Sequence, residues 1–199
     1  MASDADAPIE DESSDLGVWP TDRPSPYAGL GIVPIGTPVL HSAAKPIQEI
    51  DGRVAKIAGY MIRAMHARRG IGLAANQVGI AERLFVTNLS RCAPDVLINP
   101  VILHSEGSWS YSEGCLSVRI EGTGSVVYRP KRITIEAWTL KHTRVEIEAD
   151  EVLARVFQHE IDHLDGIEYV QRLHGIDRKR VYDTMKAAGV DVSWVPPID

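Results

Sequence analysis

What this chain has little of narrows its roles before any motif is read. It carries only two cysteines, Cys92 and Cys115, so at most one disulfide can form, and a reducing compartment would disfavour even that. A disulfide-built scaffold is excluded. No apolar run approaches the ~20 residues that span a bilayer, and the N-terminus lacks the positive-then-apolar layout of a secretory signal. A cytoplasmic location with no membrane partner is therefore expected. Trp19, Trp109, Trp138 and Trp194 are too scattered to form a stacking platform for nucleic acid. Excess positive charge is also missing. The formal net charge is −6, and residues 1–28 alone hold Asp4, Asp6, Glu10, Asp11, Glu12, Asp15 and Asp22 against Arg23. Taking these seven from the 27 acidic residues, and Arg23 from the 21 basic ones, leaves twenty of each. A near-neutral body offers no field for DNA or RNA.

What remains is a chain of 199 residues, 44% apolar, enough for one domain with a sizeable core. Residues 1–28 are rich in Asp, Glu, Ser and Pro without a sustained apolar period, which predicts a disordered acidic extension before a domain over 29–199. Ile32 to Leu40, broken by Pro34 and Pro38, reads as an extended segment along the domain edge. Asp51 can cap a helix with apolar positions Val54, Ile57, Ala58, Met61 and Met65, stopped at Gly70. Its methionines read as core. Leu84–Val86, Val96–Ile98, Arg132–Trp138 and Arg144–Glu148 have strand character. Asp150 can cap a second helix through Val152, Val156, His159 and His163, ending at Gly166. A last helix, about Asp177 to Ala188, precedes Gly189. The class is α+β: antiparallel or mixed sheets packed around a central helix, with one helix before them and one after.

Chemistry concentrates in Gln158-His159-Glu160-Ile161-Asp162-His163. Two histidines four apart share one helix face and can hold one cation, while Glu160 reaches water beside it. A catalytic site needs a third ligand and an open position. The longer His-Glu-x-x-His-x-x-Gly-x-x-His signature fails at its last position, which is Tyr169; Glu168 follows too closely for the usual zincin glutamate, and His174 fits neither spacing. Upstream, Cys115 in Glu113-Gly114-Cys115-Leu116-Ser117 is the preferred third ligand, since a divalent ion deprotonates a thiol and glycine permits close backbone approach. This donor set by itself suits zinc. His41, His66, His104, His142 and His174 have no ligand partner at useful spacing.

These segments resemble the peptide deformylases. The resemblance rests on three stretches in order: Gly70-Ile71-Gly72-Leu73-Ala74-Ala75-Asn76-Gln77, then Glu113 to Ser117, then Gln158 to His163 running on to Leu164 and Gly166. It covers most of residues 30–175 and leaves out the acidic tail. It implies a metallohydrolase that removes the formyl group from formyl-methionyl nascent chains and releases formate. Cys115, His159 and His163 would hold one divalent metal, ferrous iron in the cell, with zinc, nickel or cobalt able to replace it. Glu160 would serve as general base and acid, and the Gln77 amide and Leu116 N–H as oxyanion donors. Ile71 and Gly72 would pair with the peptide as an added strand, beside Gly114. Val156, one turn before His159, is placed either to line the methionine pocket or to pack in the core.

Two departures from the family pattern stand out. Arg155 occupies a pocket position that is usually apolar. After Ser117 the run Val118-Arg119-Ile120-Glu121-Gly122-Thr123-Gly124 replaces Val-Pro and a peptide-anchoring arginine, which leaves Arg119 and Arg129 as candidate anchors.

Other readings stay open. Gly70-x-Gly72 as a dinucleotide loop is weakened by Ala75 where a third glycine belongs. A metallopeptidase acting on peptide bonds could use the same helix. A binding module whose metal only folds the domain would saturate it with four protein ligands. Arg178, Lys179 and Arg180 read most simply as a solvated face, with a ribosome contact as the alternative. A monomer is the default.

Overall fold

The computed structural model describes residues 31–89 and 95–196. The acidic extension, the start of the domain at Gly29 and Cys92 lie outside the described residues. In chain order the elements are α1 (Gly52–Ala67), β1 (Gly72–Ala74), β2 (Leu84–Thr87), β3 (Asp95–Glu106), β4 (Trp109–Glu113), β5 (Ser125–Arg129), β6 (Arg132–Trp138), β7 (Arg144–Asp150), α2 (Glu151–Leu164) and α3 (Gly175–Ala187). The sheet order β1-β2-β3-β6-β7 makes one five-stranded layer, and β4 pairs with β5 in a separate ribbon. Every named pairing is antiparallel; an isolated Lys45–Glu82 bridge runs parallel. The fold is α+β.

α1 begins as expected, with the Asp51 carboxylate accepting from the Arg53 and Val54 N–H groups at 3.0 and 3.1 Å, a cap worth about 1 kcal/mol. Val54, Ile57, Ala58, Met61 and Met65 are all buried, so the methionines are core. Asp150 departs from expectation. It holds the N-cap position of α2, but its side chain makes no capping bond; the Glu151 N–H donates instead to the Lys131 carbonyl at 2.9 Å. α3 starts two residues before the expected Asp177 and buries Val181 and Met185.

α2 is buried on nearly every side rather than along one stripe. Phe157, Ile161 and Leu164 pack against Phe85, Leu97, Ile133 and Ile135 of the large sheet, while Arg155, Gln158, Glu160, Asp162 and His163 are buried as well. The extended segment before α1 ties two motif loops together: Val33 N–H donates to Gln77 O at 2.8 Å and Ile35 N–H to Ser117 O at 2.9 Å. Gly166 closes α2 at φ 75°, where a Cβ would also meet the Ser42 backbone at 2.9 Å. Among the described residues no helix is long and apolar enough to cross a membrane.

Candidate metal centre and its cleft

The turn after β4 carries Cys115 to the face of α2 that presents His159 and His163. The ligand atoms of these three residues lie within 4.8 Å of one another. Cys115 Sγ is 3.2 Å from His163 Nε2. Each ring turns its other nitrogen to a buried carboxylate: His159 Nδ1 is 3.0 Å from Glu113 Oε2, and His163 Nδ1 is 3.4 Å from Glu168 Oε1. A carboxylate behind an imidazole fixes its tautomer and raises its basicity as a metal ligand.

Electrostatics agrees with that use. Burial pushes the Cys115 thiol up, but the charge of His163 and hydrogen bonds from both histidines outweigh it and bring it down to about 7. Burial would lower His159, yet its bonds to Cys115 and Glu113 lift it to about 10. His163 is raised well above the ordinary value against the same burial effect, by Cys115 and Glu168. The pocket gathers a thiol and two carboxylates that call for positive charge, which a divalent cation would supply. One sulfur and two imidazoles therefore fit such an ion. Beside them the Glu160 carboxylate is 4% exposed, its Oε2 has no hydrogen-bond partner, and burial raises its pKa.

Behind the centre lies a charge network that composition could not reveal. Glu113 accepts from Arg129 Nε at 2.6 Å and Nη2 at 3.0 Å, and also from Arg155. Arg129 Nη1 reaches Asp162 at 2.6 Å, and Arg172 binds the same carboxylate. Arg129, with 4% of its side chain exposed, is thus a strut and not a peptide anchor. Arg119 is exposed and its Nε donates to Leu116 O. Arg155 does not leave an open charge in the pocket wall: it is neutralised by Glu113, donates to Trp109 O at 2.6 Å and sits 5.0 Å over the Trp109 ring. Glu168, considered above as a ligand, stands behind His163 instead. A carboxylate inside an otherwise buried motif needs a cationic partner, but the sequence does not say which cation meets Glu113 or Asp162.

The cleft in front holds about 420 Å³ and is lined by 69–72 on one wall, 111–116 on the other, and Val156, His159 and Glu160 of α2. Both walls are strand edges, because β1 ends the large sheet and β4 pairs only with β5. The Ile71 carbonyl already accepts Asn88 N–H at 3.0 Å, so by antiparallel alternation the main chain of Gly72 faces the open edge. Glycine is required there: a Cβ would collide with Glu160 Oε1 and lie 2.9 Å from Val156 Cγ1. Val156, 7% exposed, serves both core and cleft. Gln77 is held by Ala74 N–H donating to its Oε1 at 2.9 Å, which aims Nε2 at Cys115 Sγ, 3.3 Å away. Ser117 N–H and Val118 N–H turn back to Cys115, whereas Leu116 N–H has no acceptor among the described residues. Gly114 is exposed, with open space where a Cβ would stand.

Residues 30–179 match the model of the family described as polypeptide deformylase. The chain belongs to that family. Peptide deformylase from Neisseria gonorrhoeae is 43% identical over 149 residues, which cover 74% of this chain and 88% of that one. A peptide deformylase from Synechococcus elongatus, solved in complex with actinonin, superposes with a TM-score of 0.77 at 34% identity, covering 85% of this chain and 91% of its own. The Thermus thermophilus deformylase gives 0.74 at 38% identity, covering 79% and 93%. The chain is accordingly an enzyme of the deformylase class with the deformylase fold, and its Cys115, His159 and His163 form a candidate metal site.

Proposed function

We propose that this enzyme removes the formyl group from formyl-methionyl nascent polypeptides in the cytoplasm, releasing formate and a free N-terminal amine. The observation that carries the reading is a buried carboxylate with an unpartnered oxygen, Glu160 Oε2, beside a cysteine and two histidines at a cleft walled by two strand edges. Cys115, His159 and His163 would hold one divalent metal, ferrous iron by family resemblance, with zinc, nickel or cobalt able to replace it. Such an ion supplies Lewis acidity and lowers the pKa of water toward ~7.

The chain's own groups do the rest. An extended peptide adds between the edges of β1 and β4, with Gly72 and Gly114 offering main-chain bonds and Val156 bordering the methionine side chain. Glu160, raised by burial, takes the proton of the attacking water and returns it to the leaving amine. The Gln77 Nε2 and Leu116 N–H donate to the oxygen that becomes negative as the formyl carbon turns tetrahedral.

Formate release from formyl-Met-Ala-Ser tests the reaction. Glu160→Ala should lose ~10²–10⁴ in turnover while retaining bound metal. Full turnover in that variant would remove Glu160 from the role, and hydrolysis of an unformylated, N-blocked peptide would favour a metallopeptidase. Metal analysis after anaerobic purification decides the ion; high activity with zinc and none with iron would overturn ferrous iron. For a ribosome contact through 178–180, Arg180 is already bonded to Gly122 O and Gly124 O, and Arg178 to Pro196 O. Unchanged ribosome cosedimentation after charge reversal at Arg178 and Lys179 would dispose of that contact.

A further inference from the structure

We infer that Arg69 forms a carboxylate-binding subsite at the open end of the cleft, favouring peptides with an acidic side chain two or three residues beyond the formyl-methionine. The inference rests on the deformylase reading above. On this wall the cleft is lined from Gly72 back to Arg69, and not by Leu73 or Ala74. Leu73 and Ala74 are fully buried, whereas Ile71 is 47% exposed and Arg69 is exposed. A peptide whose first residue lies at Gly72, beside Glu160, must leave along Ile71, Gly70 and Arg69. Three residues of extended chain span roughly 10 Å, which brings Arg69 level with the second or third residue that follows.

Arg69 lines the cleft, and its side chain has no ion pair or hydrogen bond among the described residues. The other cations of the site are spent: Arg155 and Arg129 on Glu113, and Arg129 also on Asp162. Arg119 is turned to Leu116 O and does not line the cleft. The backbone supplies an independent sign. Arg69 N–H donates to His66 O and Gly70 N–H to Met65 O, closing α1 in a Schellman turn. Its left-handed residue is Arg69 itself, at φ 54°, where glycine is the favoured choice. An arginine kept in a left-handed position on the cleft wall, with no ion pair among the described residues, points to a use for its charge.

The test uses the metal-loaded full chain and amidated formyl-Met-Ala-X peptides, with X as Asp, Ser or Lys, reading formate. Attraction and repulsion at a solvent-exposed cation are each worth a factor of about three. The Asp-over-Lys ratio of kcat/KM should therefore be about ten, carried by KM and shrinking as salt is added. Arg69→Gly should bring the ratio near one and Arg69→Glu should invert it. Arg69→Gly should also melt no lower than the parent, because glycine relieves the left-handed turn, so lost preference cannot be laid to unfolding. Formate from the Ser peptide with no X preference in the parent, a preference that survives both variants, or one abolished by Arg119→Ala instead, overturns the subsite alone. No formate from the Ser peptide overturns the deformylase reading with it.

Discussion

Replacing Glu113 by glutamine isolates the charge that holds the site together. The side chain keeps its shape, but two buried guanidiniums lose their shared carboxylate, with Arg129 and Arg155 side chains 4% and 6% exposed. Removing one partner of a buried pair typically costs 3–5 kcal/mol, because the other charge is stranded. Arg129 keeps Asp162 at 2.6 Å, whereas Arg155 would retain only neutral acceptors, the carbonyls of Val127 and Trp109 and the new amide oxygen. The loss therefore belongs at the low end, about 3 kcal/mol, or a fall in Tm of about 6–12 °C for a chain of this size. His159 also loses the acceptor behind its Nδ1, which should weaken metal binding ~10–100-fold. Thermal unfolding of the metal-free protein gives the first quantity, and competition with a chromophoric chelator gives the second. A destabilisation under about 1 kcal/mol, with unaltered metal affinity, would refute the idea that Glu113 is the hub of both.

Three further substitutions probe separate contacts. Gly72→Ala places a Cβ against Glu160 Oε1; displacing that carboxylate by about 1 Å should cost ~10² in turnover, and a parent-like rate would mean that the strand yields without moving Glu160. Gln77→Leu removes the proposed oxyanion donor, for ~10²–10³ in turnover, and strands the Ala74 N–H, for about 1–3 kcal/mol of stability; unchanged formate release would take Gln77 out of the reaction. His41 stacks on Trp194 with ring centroids 4.1 Å apart, and burial lowers its pKa against the raising effects of Glu168 and Asp191. Folding thus favours neutral His41, so this contribution is intact above the ordinary pKa of ~6.5 and declines as pH falls below it. His41→Phe should flatten stability over that range, and an equally steep acid limb in the variant would assign the loss to other groups.

The sequence made the helices and the metal cluster legible because both are short-range patterns. The three- and four-residue spacing in α1 and the His-Glu-x-x-His array of α2 depend only on helix geometry, and Cys115 came from a motif read whole. β1, β4 and β5 were not anticipated as strands. Trp109 to Glu113 has no run of branched apolar residues, and the alternation of β5 is hidden by adjacent Val126 and Val127, of which only Val127 is buried. The roles of Arg129, Asp162 and Glu168 were out of reach because they are long-range pairings. Nothing near Arg129 in sequence says that Glu113, sixteen residues earlier, and Asp162, thirty-three later, will close on it.

That network explains how one helix can be both core and catalyst. A helix buried on all sides would ordinarily be apolar all round, yet α2 buries Arg155, Gln158, Glu160, Asp162 and His163. Each polar group then needs a partner from elsewhere in the fold. Gln158 finds Pro130 O and Ala154 O, Asp162 finds Arg129 and Arg172, and His163 faces Glu168. Arg155 leaves its Nε unbonded but places both terminal nitrogens. Three of these residues keep a buried atom without a hydrogen-bond partner, Arg155 Nε, His163 Nδ1 and Glu160 Oε2, and Glu160 is the carboxylate among them, lining the cleft beside Cys115 and His159. On the mechanism proposed above, the partner that Glu160 Oε2 lacks is the attacking water.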